Sequence, residues 1–129
     1  MFNGIDFYNE QLAYVNSGDI DGLMDEHFHD EAELVTFEFI AKGKQAIRKY
    51  LTVDSPAQMG RVLGVRTVNF MSTDDVIIFV TEVNSEKMGY FQARDAFYLK
   101  DGKILRFMSL TLPPGEDQKL ELGHVPDSK

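Results

Sequence analysis

The carboxyl group of Asp95 is isolated by the pattern around it. Over residues 87–100 the chain alternates, so that Gly89, Phe91, Ala93, Asp95, Phe97 and Leu99 share one face of an extended strand. Met88, Tyr90, Gln92, Arg94, Ala96 and Tyr98 share the other face. The first face is apolar except for Asp95. A lone carboxyl in such a place is either paired or neutral, because burying an unpaired charge is expensive. It reads as an acid held protonated for donation, or as a structural Asp bonded to a helix group or an arginine. Gln11 is set in a similar way. At about 100° per residue, Phe7, Tyr8, Gln11, Leu12, Tyr14 and Val15 form one helical arc with the amide at its centre. Gln11 is either a polar group lining a cavity or a core amide satisfied by backbone, and Tyr14, at the edge of the arc, brings a hydroxyl toward the same cavity. His27 lies on the apolar face of a second helix, with His29 two residues on. A histidine in a last helical turn suits the helix dipole without any catalytic role. Metal binding needs three or four converging ligands. The remaining histidine is His124 in the tail and there are no cysteines, so no metal is expected.

The elements that must hold these groups follow from hydrophobic period and punctuation. Residues 6–17 read as a helix ended by Gly18, and Asp19 caps a second helix over 20–28 with Ile20, Leu23, Met24, His27 and Phe28 as its stripe. The β-forming run 32–40 reads as one strand, bringing Thr36 and Glu38 to one face if regular. Residues 44–51 read as a third helix, stopped by Asp54-Ser-Pro56. Four antiparallel strands follow at about 61–72, 75–84, 87–100 and 103–112, with Asp101-Gly102 as a strong hairpin signal. A domain over residues 1–112 and a polar tail over 113–129 are expected. Helices first and a long meander after them mean an α+β fold, with helices on one face of a curved sheet.

Composition removes several functions. The net charge of −8 repels phosphate and argues against nucleic acid. Ten acids precede the first base, Lys42, which disfavours anionic lipid as a partner. No apolar run approaches the roughly 18 residues of a membrane span and no signal peptide is read at the start, so a cytoplasmic protein is expected. The absence of cysteine excludes disulfides, thiolate metal sites and cysteine nucleophiles. Without a glycine-rich phosphate loop or a β-α-β alternation, nucleotide binding is disfavoured.

The stretch Tyr14-Val-Asn-Ser-Gly18-Asp19-Ile20-Asp21-Gly-Leu23 resembles the first helical hairpin of the nuclear transport factor 2-like superfamily. That group includes ketosteroid isomerase, SnoaL-type polyketide cyclases, scytalone dehydratase and limonene epoxide hydrolase. Asp30-Glu31-Ala32, then Lys42-Gly43-Lys-Gln-Ala46-Ile47-Arg-Lys-Tyr50, then Asp95-Ala-Phe97-Tyr-Leu-Lys-Asp101-Gly102-Lys103-Ile104 continue the likeness, which covers residues 6–112. It implies a cone-shaped roll of cystatin-like architecture: three N-terminal helices packed on a strongly curved, mainly antiparallel sheet around a deep pocket. In ketosteroid isomerases the position matching Asp95 is an acid with a raised pKa that donates to an oxyanion. The position matching the general base is Thr36 here, and threonine cannot accept a proton at neutral pH. Glu38 is the candidate for a displaced base. Gln11 stands where the isomerase has its tyrosine donor, and a glutamine can still donate a hydrogen bond.

Two functions stay open. One is small-molecule binding or cofactor-free acid/base catalysis of the isomerase, cyclase or dehydratase type, on an apolar ligand. Asp95 would be the acid and Glu38 the base, with Gln11, Tyr14, Thr36, Phe91, Phe97, Phe107 and Ser109 lining the pocket. The other is a non-catalytic dimeric ligand-binding or interaction module. Ile77, Phe79, Thr81 and Val83 alternate with Val76, Ile78 and Val80, so the strand over 75–84 is apolar on both faces. One face covers the helices. The other joins Tyr90, Ala96, Tyr98, Met108 and Leu110 in a bare patch, from which a homodimer through the outer sheet face is expected.

Overall fold

The computed structural model describes residues 2–112, so the tail expected over 113–129, with His124, lies outside the described residues. Helix α1 (Gly4–Ser17) starts two residues earlier than its apolar arc suggests. Asn3 caps it, its Oδ1 accepting from the N–H groups of Ile5 and Asp6 at 3.1 Å each. Gly18 ends it in the left-handed region at φ 75°, as expected. The arc is narrower than expected. Tyr8 and Gln11 are buried, but Val15 is 49% exposed and does not flank Gln11 in the core. Asp19 caps α2 (Ile20–His27) by accepting from Gly22 N–H, and α2 buries Leu23, Met24 and His27.

The chain passes without a loop from α2 into β1 (Phe28–Val35). The single strand expected over 32–40 is corrected here: β1 ends at Val35, a turn covers residues 36–39, and β2 is Ile40–Lys42. Thr36 makes the turn. Its Oγ1 accepts from the N–H groups of Glu38 and Phe39, at 3.1 and 3.0 Å, and its own N–H donates to the Phe39 carbonyl at 3.0 Å. A β-forming run with no Gly, Pro, Asn or Asp concealed a turn that one threonine hydroxyl closes.

The third helix also runs on where it was expected to stop. α3 (Lys44–Lys49) continues through a wide π-type turn (Tyr50–Asp54) into α4 (Ser55–Met59). Proline has no N–H and its ring crowds the carbonyl four residues back, so Pro56 would break a regular helix. The wide turn instead lets Ser55 N–H bond back to the Tyr50 carbonyl and sets Pro56 in the first turn of α4, where no N–H is required.

Four long strands follow: β3 (Val62–Ser72), β4 (Val76–Ser85), β5 (Gly89–Lys100) and β6 (Lys103–Leu112). The sheet order is β2-β1-β6-β5-β4-β3, with β1 parallel to β6 and every other pair antiparallel. Asp101 (φ 54°) and Gly102 (φ 76°) take the left-handed conformations of the expected tight hairpin. Ile77, Phe79, Thr81 and Val83 on β4 and Phe91, Phe97 and Leu99 on β5 point inward and are buried. The core lies between this inner face and the helices, with Leu23, Phe28, Leu34, Ile47, Ile77, Phe97 and Ile104 almost wholly buried. The fold is α+β, an open cone of helices against a six-stranded mixed sheet.

Candidate functional site

Asp95 is on the inner face of β5, opposite Phe79 of β4 and Ser109 of β6. Its Oδ1 is buried with no hydrogen-bond partner. Burial pushes the carboxyl up to about 6, against the pull of the Ser109 hydroxyl. No arginine or lysine contributes to this shift, which answers one question left open by the sequence: the acid is not paired with a cation.

The walls around it are aromatic. Phe79 and Phe97 have ring centroids 5.1 Å apart, and Phe97 meets Phe107 edge-on at 5.0 Å. Helix α1 lays Tyr8 across this face, 4.7 Å from Phe79 and 5.2 Å from Phe70. The Tyr8 hydroxyl shares a 2.6 Å hydrogen bond with Thr67 Oγ1 of β3. Burial raises the Tyr8 phenol, the Thr67 bond opposes this, and the Asp95 charge adds to the rise. Tyr50, in the wide turn, is raised chiefly by burial, with the Asp95 and Glu38 charges contributing. Asp95 therefore acts electrostatically on two phenols from two helices.

The other expected residues divide. Gln11 is buried on the same face of α1 as Tyr8, one turn away, and its Oε1 has no partner. The structural alternative, an amide satisfied by backbone, does not hold for that oxygen. Ser109, Phe97 and Phe107 adjoin Asp95. Phe91 is buried but four residues along the strand, roughly 13 Å away, opposite Val83. Tyr14 is directed elsewhere, its ring edge-on to His27 at 5.5 Å, and its phenol is raised by burial and by Glu10, Glu26 and Asp19. Thr36 spends its hydroxyl on the turn. Glu38 is exposed in that turn and does not share a strand face with Thr36, so the regular-strand placement of a base is corrected.

Phe79 lies opposite Asp95, Tyr8 and Tyr50 feel its charge, and Thr67 holds the Tyr8 hydroxyl; none of these is singled out by the sequence reading. Tyr8 was legible as Gln11's neighbour on the arc. Thr67 was not, because a register shift between Thr67 and Asn69 sets which β3 side chains face inward. His27 forms a separate cluster. It stacks on Phe7 at 4.0 Å, holds Glu10 Oε1 at 3.1 Å through Nε2, and buries Nδ1 without a partner. Burial lowers its pKa and Glu10 opposes.

Two grooves lie on the outer sheet face. One, of about 560 Å³, is lined by Val35, Ile78, Val80, Ala96, Met108 and Leu110, by Thr36, Phe37 and Arg94, and also by Phe79, Asp95 and Ser109. The other, of about 550 Å³, is polar and holds His29, Asp30, Glu31, Glu33, Lys42, Lys100 and Arg106. Among the described residues no three histidine, aspartate or glutamate side chains converge as a metal needs, and no helix is long and apolar enough to cross a membrane.

No family model and no curated sequence matches the chain. Solved structures do. A nuclear transport factor 2-like protein of unknown function from Burkholderia xenovorans superposes with a TM-score of 0.71 at 13% identity, over 92% of this chain and 94% of that one. A protein provisionally assigned as a polyketide cyclase from Sinorhizobium meliloti gives 0.69 at 18% identity, over 84% and 100%. TerC, crystallised with polyporic acid, gives 0.67 at 19%, over 82% and 88%. The chain has the nuclear transport factor 2-like fold.

Proposed function

We propose that the inner face around Asp95 takes a small apolar molecule, with Asp95 as its hydrogen-bond and proton donor. The observation that carries this reading is a carboxyl oxygen buried without a partner among aromatic rings, on an acid with a pKa of about 6. At pH 7 such an acid is protonated in roughly one molecule in ten. The protonated form can give its proton to a ligand oxygen that gains charge, and the ionised form can take one back. Isomerisation, cyclisation and dehydration are the reactions this suits. Gln11 would orient a polar group through its free amide oxygen, and Phe97, Phe107 and Phe79 would hold a flat frame. Neighbours of the same fold support the ligand class, one being provisionally assigned as a polyketide cyclase and one having been co-crystallised with polyporic acid.

The second reading is a binder without turnover. It is favoured by Thr36 and Glu38, since the β1–β2 turn that holds them brings no second carboxyl to act on Asp95. In both readings two copies pair through the outer sheet face, where Met71, Ile78, Tyr98 and Met108 stand exposed. A thermal-shift panel tests the ligand class. Flat aromatic or steroid-like compounds should stabilise the protein, and less so the Asp95→Asn variant. Stabilisation only by phosphorylated compounds would overturn the reading. A stabilising compound that the protein also converts decides for the enzyme.

A further inference from the structure

We propose that His27 is an acid-sensitive latch for helix α1: the neutral ring fastens α1 over the inner face, and the protonated ring lets α1 swing away about the Gly18–Asp19 connection. The helix is lightly held. Of its 14 residues only Gly4, Tyr8 and Gln11 are buried. Gly4 lies so close to Ser72 of β3 that a β-carbon would collide with the hydroxyl. Tyr8 bonds Thr67 and packs on Phe70 and Phe79, and Gln11 Oε1 has no partner. The other fastening is to His27. Its ring stacks on Phe7 at 4.0 Å, meets Tyr14 edge-on at 5.5 Å, and sets Nε2 3.1 Å from Glu10 Oε1. Three α1 side chains at i, i+3 and i+7 thus converge on one imidazole.

The His27 side of this contact is fixed. Helix α2 runs without a loop into β1, where Phe28 pairs with Ile104. Lys103 Nζ donates to the Asp25 carbonyl at 3.0 Å, and Arg48 Nε of α3 donates to Asp21 at 2.7 Å. The chain joins α1 to α2 only through Gly18, in the left-handed region. When the two part, α1 is the element that moves.

With Glu10 ionised, the neutral ring keeps its proton on Nε2 and donates it to Glu10, which leaves Nδ1 a buried lone pair. A second proton must go to Nδ1. That N–H would be buried without an acceptor, on a side chain only 2% exposed. Glu10 and Glu26 act on the ring and both favour the proton, yet burial outweighs them. The Tyr14 phenol stays neutral, its pKa raised. Arg48 and Lys103 reach α2 at Asp21 and the Asp25 carbonyl rather than at the ring, and His29 turns its Nδ1 to the Glu31 N–H. Water supplies the acceptor that the closed state lacks. The open form therefore takes up the proton first, and closure is lost as pH falls below the ordinary histidine range. Asp95, beneath Tyr8, works the other way, because burial makes it hold its proton better while the face is closed. The two titrations partly offset.

Hydrogen exchange of the full chain at pH 7.5 and pH 5.5, corrected for intrinsic rates, reads the helix itself, whether or not the inner face takes a ligand. The comparison is with His27→Phe, which keeps a stacking ring and cannot titrate. Between the two pH values, protection of the amides of residues 8–14 should fall in the wild type relative to this variant by up to about tenfold. That is the limit for one proton taken up at a free value of about 6.5. Asp95 acts alike in both proteins and cancels. The sheet amides of Phe79 and Phe97 should keep their protection. Glu10→Gln, at a side chain 58% exposed, should fold as the wild type does and steepen the loss, since the closed ring then has one acid fewer to favour its proton. An equal pH response in the wild type and His27→Phe overturns the latch. So does a joint loss of helix and sheet protection, which is global unfolding. A flatter response in Glu10→Gln also overturns it, because the protonated pair would then be what holds the helix.

Discussion

Replacing Asp95 by asparagine should change how stability depends on pH. Asp95 has a folded pKa of about 6 against an ordinary value of 3.8, because burial penalises its ionised form and no cation offsets this, the Ser109 hydroxyl opposing it only in part. Between those values the folded chain holds a proton that the unfolded chain has lost. Stability therefore falls as pH rises through this window. The difference of about two pKa units corresponds to roughly 3 kcal/mol in full, of which about 2–3 kcal/mol is lost between pH 4 and pH 8. Asparagine does not titrate, so Asp95→Asn should lack this loss. The asparagine amide carries its own cost of roughly 1–3 kcal/mol if an N–H is left unsatisfied. That cost is the same at both pH values and cancels in the comparison. Urea unfolding of both proteins at pH 4 and pH 8 gives the difference directly. The stability of the variant relative to the wild type should rise by about 2–3 kcal/mol from pH 4 to pH 8. Parallel pH profiles would refute the claim of an unpaired buried acid. A variant that grows relatively weaker with pH would mean that Asp95 is held ionised by a cation.

Three further outcomes are expected. His27 has its pKa lowered by burial, so the unfolded chain takes up the proton first; its contribution is present above the free histidine range and is lost as pH falls below it. Urea titrations from pH 7.5 to pH 5 should show a flatter acid-side loss in His27→Phe than in the wild type. Phe97→Ala should cost about 3–5 kcal/mol of unfolding free energy, since the ring is fully buried between Phe79 and Phe107. Pro56→Ala should change stability by less than about 1 kcal/mol, because the proline sits in a first turn that needs no N–H; a loss of several kcal/mol would assign the wide turn another cause.

The faces of the long strands were legible because alternation is a local property. The period that put Asp95 among Phe91, Phe97 and Leu99 needs no knowledge of partners, and the buried set matches it. Turns carried by glycine were legible for the same reason, as at Gly18 and Asp101-Gly102. Features set by a specific hydrogen bond or a register shift were not. The Thr36 hydroxyl broke a strand that composition wrote as continuous, and the wide turn before Pro56 carried a helix past its expected stop. Both errors bear on the site, since the first moved Glu38 away and the second placed Tyr50 near Asp95. Tyr14 was misjudged by angle alone, since the α1–α2 packing turns its ring to His27.

The central claim is that Asp95 holds or releases a proton near neutrality because it is buried without a cationic partner. Carboxyl-carbon NMR of the full chain, with the Asp95 resonance assigned through its absence in Asp95→Asn, follows that proton directly. The account predicts a midpoint of about 6. A midpoint at or below the free value of about 3.9 would contradict it and leave Asp95 a structural anchor of the sheet.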